Sequence, residues 1–262
     1  MTEISDGESK PGRYAARAPE PPDEEAVAHA VGVGPGPGHL TGRARELLSA
    51  ADVVVGFETV VDLVREATDA TVLACGYDDE AAALERFADR VAGGANGVAV
   101  LMGDPNVSGY QFLGKVEQSV GGPVRVVPGV SSVQVAASRA RTPLEQSAVL
   151  SLHRRGPVEG TLERLARTGG RRHLLVIPRP YDWMPEDLAR YAVDHGVDPV
   201  LDALVFERLT RSGERTTRST LGALADDTGD GPDGTAFSDL SVLVVRAPDS
   251  RANPATTPGG DQ

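Results

Sequence analysis

Asp104 lies in an eight-residue segment that contains two glycines and a carboxylate, Met102-Gly103-Asp104-Pro105-Asn106-Val107-Ser108-Gly109. Gly103 lets the backbone approach a ligand closely, because it has no Cβ. Pro105 fixes a turn and disfavours helical geometry at the residue before it. The loop therefore offers a carboxylate at its tip, although an ordinary Asp-Pro turn has the same composition.

The elements around this loop predict where it lies in a sheet. The apolar run at residues 98–102 predicts a strand, and residues 110–119 are compatible with a helix. In open α/β sheets, ligands bind beyond the carboxyl ends of the strands. The strand, loop and helix at residues 98–119 therefore predict a cofactor site at the loop.

Two further strand ends carry glycine-rich turns. The strand predicted at residues 28–33 runs into Gly32-Val33-Gly34-Pro35-Gly36-Pro37-Gly38. Pro37 stands where a dinucleotide fingerprint needs its third glycine, and no Gly-Lys-Ser/Thr follows, so the turn matches neither that motif nor a P-loop. It either supports a ligand or only joins a strand to a helix.

The second of these turns, Pro128-Gly129-Val130-Ser131-Ser132, lies between a strand at residues 124–127 and a helix at residues 133–139. Its two serines either cap the helix or turn hydroxyl and N–H groups toward a ligand.

A cationic cluster, His153-Arg154-Arg155, directly follows the strand predicted at residues 148–152. Guanidinium groups bind carboxylates in bidentate fashion, so this cluster suits an anionic ligand, while a solvated surface turn is the alternative. No histidines pair at the spacing of metal ligands, so we expect no metal site. Cys75 is the only cysteine, which excludes an intrachain disulfide and a cysteine-based zinc site.

The charge and composition of the chain exclude several classes of protein. The chain has 262 residues and a net charge of −12, which argues against general affinity for nucleic acid. It has no apolar run of the roughly 20 residues that a membrane-spanning helix needs, and no apolar N-terminal segment of secretory type, so we expect a cytoplasmic protein. Only Lys10 and Lys115 are lysines among 26 basic residues, as in acidic proteins of salt-loving organisms or of high-GC genomes.

Strands and helices alternate along the chain, which predicts an α/β fold in two domains. We place the domains at residues 27–145 and 146–247, because the composition breaks at Thr142-Pro143. Residues 1–26 and 248–262 are rich in acidic residues, Pro, Gly and Ser, and we expect disordered tails there.

The three turns together, at residues 32–36, 103–105 and 128–132, resemble in order and spacing the tetrapyrrole methylase family, which uses S-adenosylmethionine. The resemblance covers roughly residues 28–247. Details at residues 51–56, 131–134 and 150–154 are similar to the subgroup that methylates carbon 5 of cobalt-precorrin-7 in cobalamin biosynthesis. That subgroup usually has glycine where Arg154 stands, followed by arginine, so it stays open which arginine faces the substrate.

The resemblance implies two α/β domains with the active site in a cleft between them. It implies that the cofactor S-adenosylmethionine is lined by Met102, Gly103, Asp104, Val107, Ser131, Ser132 and, from the second domain, Ile177. It assigns the tetrapyrrole substrate to Gly34, Pro35, Gly36, His153, Arg154 and Arg155. Family members are usually homodimers, and this subgroup can work beside a separate carbon-15 methyltransferase and decarboxylase.

Methyl transfer from an activated sulfonium needs alignment of donor and acceptor, so no protein nucleophile is required and we assign no catalytic residue. Another methylase of the family, acting at a different ring carbon, on uroporphyrinogen or on a protein, is the nearest alternative. A non-catalytic domain that binds S-adenosylmethionine or a nucleotide is a second, and a nicotinamide oxidoreductase, disfavoured by the broken glycine spacing, is a third.

Overall fold

The computed structural model describes residues 26–180, 182–227 and 234–248, so the predicted tails lie almost wholly outside the described residues. The chain divides into two compact units. The first unit consists of the described residues up to Val135 and of two later segments, His153–Gly156 and Arg208–Glu214. The second unit contains the remaining described residues.

The first unit is built on a five-stranded sheet whose strands are β1 (Ala28–Gly32), β2 (Val53–Phe57), β3 (Thr71–Cys75), β4 (Gly97–Leu101) and β5 (Val124–Val127). The order across the sheet is β3-β2-β4-β1-β5, and every neighbouring pair is parallel. These strands are nearly continuous apolar runs because a parallel sheet is covered on both faces. In β2, for example, Val53 and Val55 belong to one core and Val54 to the other.

Helices cover both faces of this sheet. They are α1 (Gly42–Ser49), α2 (Glu58–Val61), α3 (Glu80–Ala92), α4 (Tyr110–Val120) and α5 (Ser132–Ala140), within which the division between the units falls. Phe87 of α3 and Leu113 of α4 are fully buried in one core, and Leu48 of α1 is fully buried in the other. Thr41 caps α1, because its Oγ1 accepts a hydrogen bond from the Ala44 amide at 3.1 Å.

The second unit contains a mixed sheet. Its strands are β6 (Ser147–Ser151), β7 (His173–Ile177), β8 (Asp202–Glu207), β9 (Arg215–Thr220) and β10 (Ser241–Val245), in the order β6-β7-β10-β8-β9. Among these described strands, only β6 and β7 pair in parallel. The helices α6 (Glu159–Thr168), α7 (Pro185–Asp194) and α8 (Leu221–Asp226) contribute buried residues to its core.

The predicted α/β class is confirmed, with two differences of detail. The sequence of residues 59–67 predicts one helix, whereas the structure has the short α2 and a turn of 3₁₀-helix at Arg65–Ala67. Strand β9 was not predicted, because its sequence, Arg-Thr-Thr-Arg-Ser-Thr, has no apolar residue and its burial alternates only between exposed and half-buried. None of the described helices is long and apolar enough to cross a membrane.

Candidate functional site

Three loops of the first unit follow three neighbouring strands. They are residues 33–41 after β1, residues 102–109 after β4 and residues 128–131 after β5. Because the sheet is parallel and its order runs β4-β1-β5, the carboxyl ends of these strands lie side by side at one edge. The three glycine-bearing turns of the sequence are therefore neighbours.

The first two loops are joined directly through their backbones. Gly34 and Gly103 form an isolated bridge, in which the Gly34 amide donates to the Gly103 carbonyl at 3.2 Å and the Gly103 amide donates to the Gly34 carbonyl at 2.9 Å. Their φ angles are +81° and +67°, a conformation that glycine adopts without strain. The bridge thus ties the predicted substrate loop to the predicted cofactor loop.

The third loop packs against this bridge at Gly129. A Cβ at Gly129 would lie 2.2 Å from the Gly103 carbonyl oxygen and 2.7 Å from the Gly32 carbonyl oxygen. A Cβ at Gly32 would lie 2.6 Å from the same Gly103 oxygen. Only glycine fits at these two positions, because the neighbouring atoms are backbone. Their backbones define a glycine junction, which comprises Gly32, Gly103 and Gly129.

Asp104 is half-buried and stabilises its own loop. Its Oδ1 accepts hydrogen bonds from the Asn106 amide at 2.8 Å and from Asn106 Nδ2 at 2.9 Å, which forms an Asx turn. The Val107 amide donates to the Asp104 carbonyl at 2.9 Å. The carboxylate therefore shapes the loop as well as offering a negative charge, and a variant must separate these two effects.

The predicted cofactor residues beside Asp104 are partly accessible. Met102 and Val107 are half-buried, and a Cβ at Gly103 would meet its nearest neighbours only at 3.7 Å and 3.9 Å. Gly103 itself is buried, and a Cβ at those distances would make ordinary van der Waals contact with Ser131 and Val130. Met102 and Val107 are therefore more accessible to a ligand than Gly103 is.

Ser131 caps helix α5. Its Oγ accepts a hydrogen bond from the Gln134 amide at 3.1 Å, and its own amide donates to Gln134 Oε1 at 2.8 Å, a reciprocal capping box. Ser131 is buried, with 3% exposure, whereas Ser132 is half-buried. The capping alternative holds for the Ser131 hydroxyl, and Ser132 is the more accessible of the pair.

Sequence reasoning missed Arg211, which belongs to the segment Arg208–Glu214 of the first unit. Its Nε donates to the Pro35 carbonyl at 2.6 Å, and its Nη2 lies 3.6 Å from Met102 Sδ. It therefore contacts both the predicted substrate loop and the predicted cofactor loop. Arg211 is far from the three turns in sequence, so no motif spacing connects it to them. It is also one of many arginines in the chain, and its residue type alone did not distinguish it.

The other predicted residues are placed as follows. His153 and Arg155 are exposed and Arg154 is half-buried, in a short segment that belongs to the first unit. Gly34, Pro35 and Gly36 are buried. Ile177 is the last residue of β7 in the second unit, and its carbonyl accepts a hydrogen bond from the Leu152 amide at 2.9 Å.

The lone cysteine is unsuited to nucleophilic catalysis. Cys75 is buried, and burial, followed by the charges of Glu80 and Asp79, raises the pKa of its thiol to about 11. The thiol is therefore protonated at neutral pH, and only the thiolate is a strong nucleophile. Among the described residues, no group of three or more His, Cys, Asp or Glu could hold a metal ion.

The chain matches one known protein family over most of its length. Residues 28–225 match the family described as Tetrapyrrole (Corrin/Porphyrin) Methylases, which is more than half of the chain. The match includes all three loops at the glycine junction and the segment Arg208–Glu214.

Two curated relatives differ in how much of each protein aligns. The chain is 32% identical over 125 residues to the probable cobalt-factor III C(17)-methyltransferase of Methanothermobacter thermautotrophicus, covering 47% of this chain and 36% of that protein. It therefore spans about a third of that relative's length. It is 27% identical over 227 residues to the probable cobalt-precorrin-7 C(5)-methyltransferase of Methanocaldococcus jannaschii, covering 83% of this chain and 97% of that protein.

Solved structures share the fold. A cobalt precorrin-4 methyltransferase superposes with a TM-score of 0.67 at 19% identity, over 84% of this chain and 95% of that chain. The uroporphyrin-III C-methyltransferase of Thermus thermophilus, complexed with S-adenosylhomocysteine, superposes with a TM-score of 0.61 at 24% identity, over 84% and 96%.

Proposed function

The chain belongs to the Tetrapyrrole (Corrin/Porphyrin) Methylases, and from that membership we propose that it is an S-adenosylmethionine-dependent C-methyltransferase that methylates carbon 5 of cobalt-precorrin-7 in cobalamin biosynthesis. The observation that carries the proposal is the alignment with the C(5)-methyltransferase relative, which runs through 97% of that protein. The partial alignment with the C(17) relative supports the chemistry and leaves the ring position to experiment.

The first unit supplies groups that fit the cofactor. S-Adenosylmethionine carries a positive sulfonium, an ammonium group and ribose hydroxyls, all of which suit the Asp104 carboxylate. Gly103, next to Asp104 in the same loop, has no side chain and adds no bulk beside a ligand there. We assign the cofactor to Met102, Gly103, Asp104, Val107, Ser131 and Ser132 of this unit, with the serines contributing mainly backbone groups and the Ser132 hydroxyl. The assignment of Ile177, in the second unit, stays a prediction from the family resemblance.

The bound cofactor supplies a methyl group that is already activated by its positive sulfur. The task of the protein is therefore to orient the sulfonium toward a ring carbon and to exclude water. The glycine junction suits that task, because Gly32 and Gly129 allow three backbones to meet where any side chain would separate them. A protonated Cys75 gives no competing nucleophile.

The substrate side of the proposal rests on cations and on the first loop. Tetrapyrrole substrates of this family carry many carboxylates, and Arg154 and Arg155 suit them because guanidinium binds carboxylate in bidentate fashion. His153 and the turn of Gly34, Pro35 and Gly36 complete the proposed substrate side. A homodimer, and a separate carbon-15 methyltransferase and decarboxylase acting with it, belong to the same proposal.

The test begins with calorimetric titration of S-adenosylhomocysteine into the purified protein. Binding near one site per chain is expected, and a folded protein that does not bind it contradicts the proposal. Methyl transfer is then measured with ¹³C-methyl S-adenosylmethionine and cobalt-precorrin-7. The carbon-13 spectrum of the product identifies the methylated ring carbon.

A second candidate is a methylase that acts at another ring carbon, which the 32% identity to the C(17) relative favours. The same spectrum distinguishes the two, because a new methyl signal at any position other than carbon 5 supports this alternative. A protein that binds S-adenosylhomocysteine and transfers no methyl group to cobalt-precorrin-7, uroporphyrinogen III or cobalt-factor III would instead be a binding domain.

A further inference from the structure

Arg211 is a half-buried cation at the carboxyl edge of the first sheet. Its two hydrogen-bond acceptors in the structure are neutral: the Pro35 carbonyl oxygen, 2.6 Å from Nε, and Met102 Sδ, 3.6 Å from Nη2. Among the described residues, no salt bridge joins it to a carboxylate. The chain has 38 acidic residues and a net charge of −12, so an arginine without an acidic partner is not explained by a shortage of partners.

The surroundings of Arg211 disfavour its charge. Burial, followed by repulsion from Arg208, lowers the pKa of the Arg211 guanidinium. Withdrawing a charge from water is unfavourable unless a partner of opposite charge replaces the solvent. A guanidinium has five N–H groups in a fixed fork, and the contacts with Pro35 and Met102 engage two of them. The remaining three can hold a bidentate anion.

The backbone around Arg211 is held in an uncommon conformation. Arg208 and Thr210 have φ angles of +50° and +66°, and a positive φ is a clear outlier for a β-branched residue such as Thr210. The Thr210 amide donates to Glu214 Oε2 at 2.7 Å, and a Cβ on Gly36 would lie 2.6 Å from Thr210 Oγ1. Strain of this kind persists where surrounding contacts enforce it and is concentrated at functional sites.

We infer that Arg211 binds a carboxylate of the ligand, beside the loop of Pro35 and the side chain of Met102. This inference rests on the proposed function, which brings carboxylates from two sources. One is the methionine end of S-adenosylmethionine, and the other is the set of acid side chains on the tetrapyrrole. Both present the same planar group to the same guanidinium fork.

Four variants separate charge from anchoring. Arg211→Met keeps the apolar stem and removes both the charge and the donors. Arg211→Gln keeps a donor for the Pro35 carbonyl and removes the charge, while Arg211→Lys keeps the charge without the fork. Arg208→Gln removes a neighbouring positive charge from the same segment and is the matched control.

Two pairs of probes identify the source of the carboxylate. S-Adenosylhomocysteine carries the amino-acid carboxylate and 5′-methylthioadenosine lacks the amino-acid part. Dicyanocobyrinic acid is a stable corrinoid with free carboxylic acids, and dicyanocobinamide has amides in their place. Affinities are measured by calorimetry for the nucleosides and by spectroscopic titration for the corrinoids.

For either source, Arg211→Met and Arg211→Gln are expected to lower the affinity for the acid-bearing probe by about tenfold or more, as for the loss of a charged hydrogen bond. The affinity for the matched probe without the acid should change by less than twofold. Arg211→Lys should recover part of the affinity for the acid-bearing probe, and Arg208→Gln should bind both probes as the wild type does. The source of the carboxylate is identified by the pair of probes in which the affinity for the acid-bearing member falls.

The inference is overturned when Arg211→Met leaves the affinities for S-adenosylhomocysteine and for dicyanocobyrinic acid within twofold of those of the wild type. It is also overturned when Arg211→Gln restores the wild-type affinity, because Arg211 then acts only by holding Pro35. Failure of the wild type itself to bind S-adenosylhomocysteine contradicts the proposed function, whereas unchanged variants of a binding-competent wild type contradict the role of Arg211 alone.

Discussion

The glycine junction predicts a large effect from one added methyl group. In Gly129→Ala, the new Cβ would lie 2.2 Å from the Gly103 carbonyl oxygen and 2.7 Å from the Gly32 carbonyl carbon and oxygen. Non-bonded carbon and oxygen atoms need more than about 3 Å, so the loops must separate by about 1 Å. The neighbours are backbone atoms, at the end of β1 and in the loop after β4, and cannot rotate away as a flexible side chain could.

Overpacking of this kind typically costs about 1–3 kcal/mol, and backbone neighbours place Gly129→Ala at the upper end, near 3 kcal/mol. For a protein of this size, 3 kcal/mol lowers the melting temperature by roughly 6–12 °C. The free energy of unfolding is measured by urea denaturation, and affinity for S-adenosylhomocysteine by calorimetry on samples that remain folded. We expect affinity to fall by more than tenfold, because the cofactor loop moves with Gly103.

Two other glycines supply the controls. Gly160 lies in helix α6, and a Cβ added there would have nothing within 4 Å, so Gly160→Ala should stabilise the protein slightly, by up to about 1 kcal/mol. Gly103→Ala places a side chain at a positive φ without a close contact and should cost about 1–2 kcal/mol. If Gly129→Ala is as stable as Gly160→Ala and binds the cofactor product as the wild type does, the close packing of the three loops is wrong.

Three further predictions concern other groups. Asp104→Asn keeps an oxygen for the Asx turn with Asn106 and removes the charge, so weaker S-adenosylhomocysteine binding at unchanged stability supports a charge role, whereas a loss only in Asp104→Ala points to loop shape. Replacing Arg154 and Arg155 together by alanine should raise the KM for the tetrapyrrole and leave calorimetric cofactor affinity nearly intact, and the reverse pattern would remove them from the substrate side. Burial raises the pKa of Glu186, which is 2% exposed, so its protonated form is favoured by folding and stability falls as the pH rises through that raised pKa. Glu186→Gln should therefore be more stable than the wild type at pH 7 and close to the wild type below the ordinary glutamate pKa of about 4.3. The free energies of unfolding of both proteins are measured by urea denaturation across this pH range, and a difference between them that does not change with pH would contradict the prediction.

The parts of the fold with strong apolar patterns were predictable. The strands of the first sheet are short apolar runs that end in glycine or a turn, so their existence follows from local sequence. Strand β9 was not predictable in that way, because an edge strand of polar residues is stabilised by pairing with β8 along its whole length, from Asp202↔Thr220 to Glu207↔Arg215. Its signal lies in the partner strand and not in its own residues.

Some features of the candidate site could also be predicted from local sequence, whereas others depend on the whole fold. Each turn could be recognised by its glycines and proline, but the order β4-β1-β5 that makes the three turns neighbours is a property of the whole sheet. The double role of Asp104 depends on Asn106, two residues away, and was accessible from sequence as an Asx turn. Arg211 was not, since its contact with Pro35 joins residues 176 positions apart.

The position of β1 between β4 and β5 has a consequence for synthesis of the protein. Ala28 pairs with Gly97 on one side and with Val124 on the other, so this strand emerges from the ribosome long before either partner exists. At about 5–20 residues per second, an apolar strand with two open edges waits several seconds for its first neighbour. Pairing at such separation is also slow to form after release, because loop closure precedes the stabilising contacts. Strand β1, the first of the described strands, is therefore exposed to association with other nascent chains, and slower translation between residues 33 and 97 should lower the yield of folded protein.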